Sequence, residues 1–332
     1  MSVARPPYVE LDSGKRSIRI PILYEDRSVI ALDKPPGWLL IPFSWQSTQR
    51  NLQAAITSSI AAGDFWARSR NLRHLRHVHR LDGDTSGILL MAKSPGAGNA
   101  YSDLFESRRM SKTYLAVVHG VPRETSWTCR TPISQDKGVI GRMKLDPKDG
   151  KDAETTFKVL RTLGDRTLIE AHPLTGRTHQ IRIHLLEAGC PVVGDEIYGP
   201  IPGSPQAKTS VRSLHFPLAL RAVRLEYVDP FQKKRVWIAA PQETFLREYG
   251  FGPEAAPAAA VAAPVAIQSP STATPAVAEP QPQPQAPVPA PYPSPAPVRV
   301  SAPGRASTSK PAPRRTPPAD RKRPFRPRQG KP

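Results

Sequence analysis

The chain has 332 residues, a net charge of +19 and 40 prolines, and 39% of its residues are hydrophobic. This length allows one large domain or two ordinary ones, and the charge favours a polyanionic partner. The chain has no signal-peptide pattern and no apolar run long enough to span a bilayer, so we expect a soluble, cytoplasmic protein without a membrane partner. The cysteines, Cys129 and Cys190, have no paired or metal-binding spacing and indicate core thiols.

Composition divides the chain into three parts. Residues 1–16 are polar and predict a short N-terminal arm, and residues 17–250 carry the regular apolar patterns of a folded domain. Residues 251–332 are rich in Ala, Pro, Gln and Ser and contain 11 Lys/Arg and 3 Asp/Glu, which leaves a charge of +11 on residues 1–250. Such a segment buries too little apolar surface to offset its chain entropy, so we predict a disordered tail with a basic end.

The first half of the folded part begins with extended patterns. Residues 17–23 and 28–33 predict two short strands, followed by the rigid turn Lys34-Pro35-Pro36-Gly37. Residues 51–62 have the apolar spacing of a helix. Residues 65–76 interleave arginines with Phe65 and Trp66, a pattern that fits either a nucleic-acid contact or an ordinary solvated loop.

The stretch at residues 79–93, HRLDGDTSGILLMAK, is a polar turn followed by a buried strand. Asp82 lies at the mouth of that strand, and a carboxylate held ionised by a guanidinium can act as a nucleophile or a base. An isolated Asp in such a turn is more often a plain turn residue. The histidines His74, His77 and His79 suggest a metal site, but no further ligands at zinc spacing complete it, and we expect His79 to pack beneath the turn.

The second half predicts a helix over residues 97–109, a strand over 112–119 that carries Tyr114, and a loop or small hairpin region over 121–152. Residues 154–162 and 166–172 predict a β-hairpin.

The stretch at residues 173–189, PLTGRTHQIRIHLLEAG, predicts a helix with Thr178 as N-cap and Gly189 just past its end. His179 and Arg182 would then share its polar face. Residues 211–220 and 236–239 predict late strands, and residues 245–249 end the fold.

Three motifs together resemble one family. HRLDGDTSGILLMAK resembles the catalytic motif of the RluA-type RNA pseudouridine synthases, and PLTGRTHQIRIHLLEAG followed by PVVGDEIYG resembles their second signature. ILYEDRSVIALDKPPGWLLIP is similar to their opening strands, with Ile41-Pro42 in place of a usual His-Pro. The resemblance covers residues 17–250 and implies an α+β fold, in which helices flank a mixed, largely antiparallel central sheet crossed by a cleft. Many relatives carry a small RNA-binding domain first, for which residues 1–16 are too few.

The resemblance implies an isomerase that converts uridine in rRNA or tRNA to pseudouridine without a cofactor or metal. The target nucleotide must be flipped out of the RNA stack. By resemblance the catalytic residues are Asp82, Tyr114 and Arg182, with Arg182 paired to Asp82. Asp82 either attacks the sugar or removes a ribose proton. The substrate-binding residues are Arg80, which holds the vacated place in the RNA, Arg177, which contacts phosphate or braces its turn, His179 and Leu214.

Two alternatives remain at the level of sequence. The first is a catalytically inactive RNA-binding protein on the same fold, and the second is a metal-dependent RNA hydrolase that uses Asp82, Asp84 and histidines. We expect RNA to be the partner and the protein to act as a monomer. The basic end of the tail either binds RNA weakly through counterion release or serves only solubility.

Overall fold

The computed structural model describes residues 5–12, 17–40, 50–139, 141–199 and 217–252. The strands are β1 Tyr8–Asp12, β2 Ser17–Glu25, β3 Val29–Lys34, β4 Arg76–His77, β5 Ser86–Ala92, β6 Ser111–His119, β7 Ser126–Cys129, β8 Ile133–Gln135, β9 Met143–Leu145, β10 Thr155–Leu163, β11 Arg166–Pro173, β12 Leu220–Val228 and β13 Arg235–Ala239. The helices are α1 Leu52–Ala62, α2 Phe65–Arg68, α3 Pro95–Glu106, α4 Gln180–Glu187 and α5 Glu243–Glu248. Among these residues no helix is long and apolar enough to cross a membrane.

One large sheet organises the part of the chain that the structure describes. Its strands follow the order β1-β2-β3-β5-β12-β6-β11-β10-β7, with β13 beside β12 and β4 beside β5, while β8 and β9 form a separate hairpin. Of the described pairings between these strands, only that of β5 with β12 is parallel. The predicted mixed, largely antiparallel sheet with flanking helices is therefore confirmed.

The parallel contact between β5 and β12 requires a glycine. Gly87 has φ +103°, and a Cβ there would lie 2.1 Å from the carbonyl oxygen of Ala222. A side chain would thus push the two strands apart. Because Gly87 follows the Asp82 turn in sequence, this close approach fixes the turn against the start of β12.

Two apolar cores cover the sheet. The first packs α1, α2 and α3 against β1, β2, β3 and β5, and the second packs α4 and α5 against β6, β10 and β11. Two members of the basic and aromatic stretch at residues 65–76 belong to the interior. Trp66 is buried and donates its indole N–H to Ser59 Oγ at 2.7 Å, and Arg70 pairs with Glu25 at 2.8 Å. These two residues therefore support the fold, while Phe65 is exposed.

The N-terminal residues differ from the predicted arm. Tyr8–Asp12 form β1, which pairs antiparallel with β2. Val9 and Leu11 alternate with polar neighbours and are fully buried in the first core. This period of two is that of a strand with one buried face, and the strand order places it at the edge of the sheet.

Two later elements also differ from their predictions. β7 lies within the predicted loop over residues 121–152 and extends the main sheet by pairing with β10, whereas β8 and β9 form the small hairpin expected there. The late strand predicted over residues 211–220 instead begins at Leu220 and runs to Val228 as β12. Residues 211–216, and with them Leu214, lie outside the described residues.

Candidate active site

A cleft of about 470 Å³ opens where the Asp82 turn, β6 and the start of α4 meet. This volume is within the range of small-ligand sites. Its lining combines charged, aromatic and apolar side chains, and includes Arg80, Asp82, Thr85, Lys112, Tyr114, Arg177, His179, Arg182 and Leu220.

Asp82 and Arg182, 100 positions apart in the chain, meet inside the cleft. Arg182 Nη1 lies 3.4 Å from Asp82 Oδ2, and the two side chains are 6% and 20% exposed. A carboxylate that faces a buried guanidinium yet remains partly open to the cleft can act on a bound molecule as a nucleophile or a base.

Asp195 holds Arg182 in this orientation. Its two carboxylate oxygens accept hydrogen bonds from Arg182 Nε and Nη2, both at 2.7 Å, and its side chain is fully buried. Oδ1 also accepts the backbone N–H groups of Ile197 and Tyr198. Two parallel charge-assisted bonds fix the plane of the guanidinium, so that only Nη1 is directed at Asp82.

The charges around Arg182 determine its pKa. Burial by itself would lower the pKa of this guanidinium, but the hydrogen bonds and charge of Asp195, followed by the charge of Asp82, raise it above its ordinary value. Arg182 is therefore a permanent cation in the cleft wall, shared unequally between two carboxylates.

Tyr198 links Arg182 to His179. The Arg182 guanidinium lies 5.1 Å from the centre of the Tyr198 ring, and the Tyr198 hydroxyl lies 2.9 Å from His179 Nδ1. The same hydroxyl accepts the backbone N–H of Met143 at 2.8 Å. Burial lowers the pKa of His179, although Asp82 acts against this. His179 is thus a buried, fixed member of the cleft wall.

The start of α4 differs from its prediction. His179, rather than Thr178, occupies the N-cap position. It has a left-handed φ of 55° and makes no side-chain cap. Because His179 stands just before the helix, it does not share a helical face with Arg182. Thr178 instead accepts a hydrogen bond from Arg80. The hydrogen bond between His179 Nδ1 and the Tyr198 hydroxyl helps to hold this non-glycine residue in that conformation. Gly189 follows the helix at positive φ, as predicted.

Lys34 supports the Asp82 turn from behind. Its ammonium group is fully buried and donates to the carbonyl oxygens of Gly83 at 2.6 Å, Thr85 at 2.8 Å and Pro35 at 3.1 Å. Burial lowers the pKa of Lys34 to about 8, although the charges of Asp84 and Asp82 oppose this shift. The last residue of β3 therefore fixes the backbone on both sides of Asp84 and leaves the Asp82 side chain directed into the cleft.

The upstream histidines serve packing. His79 Nε2 accepts the backbone N–H of Leu90 at 3.0 Å, and its ring stacks on Phe105 with centroids 4.5 Å apart. Burial is the main cause that lowers the pKa of His79 to about 3. His77 contacts Gln53 through Nδ1. Within the described ranges, no group of three or more His, Cys, Asp or Glu side chains is arranged to hold a metal ion.

Strand β6 contributes Tyr114 and Lys112 to the cleft. Burial, followed by the charge of Asp82, raises the pKa of Tyr114, so its hydroxyl keeps its proton. Lys112 donates to the carbonyl oxygen of Thr175 at 2.9 Å, and burial lowers its pKa to about 8. The ring of Tyr114 offers an apolar surface beside the carboxylate, and Lys112 keeps a positive charge near neutral pH.

Two arginines form the rim. Arg80 is exposed and reaches across the cleft to donate to Thr178 Oγ1 at 3.0 Å. Arg177 donates through Nε to the carbonyl oxygen of Asp152 at 2.7 Å, which braces its turn and leaves the rest of the guanidinium on the rim. The mouth of the cleft is therefore positively charged.

The structure brings six of the predicted site residues to one cleft: Arg80, Asp82, Tyr114, Arg177, His179 and Arg182. Leu214 lies outside the described residues, and Leu220 supplies an apolar wall from the same part of the chain. Sequence reasoning missed Asp195, Tyr198 and the supporting role of Lys34. Both Asp195 and Tyr198 lie in the segment PVVGDEIYG, which follows α4. An acidic residue directly after a glycine, with an aromatic residue three positions later, was the sequence signal that could have indicated their roles.

Comparison with known proteins agrees with this architecture. Residues 28–187 match the family described as RNA pseudouridylate synthase. An uncharacterized RNA pseudouridine synthase of Chlorobaculum parvum is 33% identical over 255 residues, which are 73% of this chain and 76% of that protein. The ribosomal large subunit pseudouridine synthase C of Salmonella typhimurium is 33% identical over 227 residues, covering 68% of this chain and 67% of that protein.

The solved structure of human RNA Pseudouridylate Synthase Domain Containing 1 superimposes with a TM-score of 0.51 at 27% identity, over 67% of this chain and 83% of that one. The fold is thus that of a pseudouridine synthase. The chain belongs to the RluA-type family of RNA pseudouridine synthases. It spans 38–64% of the length of four further curated relatives.

Proposed function

We propose that this protein is an RNA pseudouridine synthase whose catalytic carboxylate is Asp82. The observation that carries the proposal is the Asp82–Arg182 contact at 3.4 Å inside a cleft, with Arg182 anchored by Asp195. Binding phosphate requires no buried guanidinium–carboxylate network. The arrangement therefore favours a catalyst over an RNA-binding protein without activity.

The reaction is an isomerisation within one nucleotide. The bond between uracil N1 and ribose C1′ breaks, the base turns, and C5 bonds to C1′. C5 loses a proton and N1 gains one, so no redox partner is needed. Asp82 acts on the ribose, either by attack on the sugar or by removal of a ribose proton. Both roles need an ionised carboxylate, and the Arg182 guanidinium lies 3.4 Å from it.

The other cleft residues have complementary roles in this proposal. Tyr114 lies against the flipped base, while His179 and Leu220 form the walls. A substrate contact of Leu214 stays a prediction from the resemblance. Arg177 binds a phosphate next to the target, because its guanidinium lies on the rim. Arg80 leaves Thr178 and occupies the place that the uridine vacates in the RNA, which offsets part of the cost of unstacking.

We propose large-subunit ribosomal RNA as the substrate. The names of several relatives, including that of Salmonella typhimurium, refer to the ribosomal large subunit. The charge of +11 on residues 1–250 suits a polyanion that extends beyond the cleft. The proposal places the protein with ribosomes in the cytoplasm and requires only one copy of the chain.

The test is to map pseudouridine in the RNA of the source cells with and without the gene. Purified protein is then added to rRNA and tRNA from the deletion strain, in buffer that contains a chelator. We expect at least one large-subunit rRNA position to lose its pseudouridine in the deletion and to regain it in vitro. Restoration of a tRNA position instead would replace the proposed substrate, and failure to restore any position would remove the proposed activity.

A further inference from the structure

The hairpin of β12 and β13 exposes large apolar side chains outside the cleft. Trp237, in the middle of β13, is 60% exposed, and Val228 and Phe231 in the same hairpin are each more than half exposed. Single exposed apolar residues are ordinary, but three in one short hairpin indicate a contact surface.

The strand register arranges two arginines around the tryptophan. Trp237 lies opposite Glu226, while Arg224 and Arg235 lie two rows away on either side and therefore on the same face of the hairpin. The guanidinium carbon of Arg224 is 6.0 Å from the centre of the Trp237 ring. Glu226 pairs with Arg224 at 3.6 Å and with Arg235 at 3.3 Å, so one carboxylate orders both cations. We call Arg224, Glu226, Val228, Arg235 and Trp237 the Trp237 face.

The charge of the surroundings is mainly positive. Lys233 and Lys234 are exposed in the turn of the hairpin, next to the Trp237 face. Asp229 in the same turn is buried and accepts hydrogen bonds from Tyr101 and from two backbone N–H groups of the turn. The exposed cations therefore outnumber the single, mostly covered carboxylate of Glu226, which favours a polyanionic partner over an acidic or neutral protein surface.

The Trp237 face points away from the cleft. Lys112, which lines the cleft, lies opposite Leu225 in the sheet, and the next residue, Ser111, lies opposite Glu226. Successive side chains of a strand point to opposite faces, so Glu226 and Trp237 are on the side away from Lys112. A ligand of this surface is therefore distinct from the nucleotide in the cleft.

We propose that the Trp237 face binds a single-stranded segment of the substrate RNA that lies outside the target uridine. One base stacks on the Trp237 ring, and Arg224 and Arg235 contact the neighbouring phosphates. Aromatic rings between basic side chains bind single strands in this way without reading their sequence. The inference rests on the proposed function for the identity of the RNA, and adds a contact that anchors the RNA on the side of the sheet away from the cleft.

The test measures binding of the full-length protein to a fluorescein-labelled single-stranded RNA of about 16 nucleotides, by fluorescence anisotropy. We expect Trp237→Ala to weaken binding about 5- to 150-fold, the range for loss of one stacked base, and Trp237→Phe to retain most of the affinity. Val121→Ala is the matched control, because Val121 is equally exposed but lies in the loop between β6 and β7. This control should bind as the wild type does.

A salt series separates stacking from charge. Replacing Arg224 and Arg235 together by Gln should reduce the slope of log affinity against log salt by about 1.4, since each phosphate contact on a single strand contributes about 0.7. Trp237→Ala should leave the slope unchanged. Pseudouridine formation by Trp237→Ala should approach the wild-type rate as the RNA concentration is raised.

Several results would overturn the inference. Unchanged RNA affinity of Trp237→Ala would do so. A rate of pseudouridine formation that stays as low at saturating RNA as at low RNA would also do so, because it would mean that the substitution acts on the cleft. If Trp237→Ala changed the sedimentation coefficient of the RNA-free protein, the Trp237 face would be assigned to contact with a second copy of the chain instead. If the wild type formed no pseudouridine in any RNA but Trp237→Ala still weakened RNA binding, the proposed function would fail and this surface would stand.

Discussion

Replacement of Asp195 by Asn tests how the Arg182 guanidinium is held. The substitution preserves the size of the side chain but removes its charge and replaces one acceptor oxygen by an NH2 group. Arg182 donates to both oxygens at 2.7 Å in the native protein, so one of these bonds becomes a contact between two donors. The buried guanidinium then keeps Asp82 as its only described carboxylate partner, at 3.4 Å.

The stability effect should be large. Removal of one partner from a buried ion pair typically costs about 3–5 kcal/mol. In a domain of this size each kcal/mol lowers the melting temperature by about 2–4 °C, so we expect a decrease of about 6–20 °C for Asp195→Asn. Asp165→Asn is the matched control, because Asp165 is exposed in the turn between β10 and β11. Scanning calorimetry should show no appreciable change for this control.

The catalytic effect should be a loss of rate with little loss of RNA affinity. Asp195 is buried and does not line the cleft, so it acts through the groups that it positions, Arg182 foremost. Displacement of a catalytic group by about 1 Å can reduce the rate about 100-fold. Single-turnover pseudouridine formation at saturating RNA, measured well below the melting temperature, should fall by about that factor. A variant with wild-type rate and melting temperature would refute the assigned role of Asp195.

Three further predictions follow from other parts of the molecule. Lys34→Met should leave the carbonyl oxygens of Gly83 and Thr85 unpaired, at about 1–3 kcal/mol each, and urea unfolding should show a lower free energy of unfolding. The pKa of His79 is about 3 in the folded protein and about 6.5 in the unfolded chain. Between these pH values only the unfolded chain binds the proton, so the free energy of unfolding decreases as the pH falls through this window. His79→Phe should make the slope of the free energy of unfolding against pH shallower by up to the equivalent of one proton. A protein that ends at Gly252 should keep its melting temperature but lose RNA affinity at low salt, because the removed segment carries a net charge of +8. The RNA affinities of the truncated and full-length proteins should converge at high salt. Equal affinity at every salt concentration would mean that the tail does not bind RNA.

Local signals predicted much of the fold. The apolar run after Asp82 predicted β5, and the spacing in residues 51–62 predicted α1, which begins after the N-cap Asn51. The resemblance predicted that Arg182 would approach Asp82, and the structure joins them across 100 positions. These features depend on side-chain periodicity or on long motifs, both of which are visible in a single sequence.

The elements that were missed depend on tertiary contacts. Several residues between Thr175 and His179 could begin α4, and the contact of His179 with Tyr198 helps determine which one does. Asp195 lies 13 positions after Arg182, and its role requires a turn whose backbone N–H groups point at the carboxylate. β1 escaped notice because its short alternating pattern stands next to prolines.

The most direct test of the central claim is the single-turnover activity of Asp82→Asn on RNA that the wild type modifies, with Asp84→Asn as the control. The Asn side chain keeps the size of Asp82 but lacks the charge needed to act on the ribose. We predict that Asp82→Asn folds, binds the RNA with near wild-type affinity and forms no pseudouridine, and that Asp84→Asn retains activity. Clear formation of pseudouridine by Asp82→Asn would contradict the account.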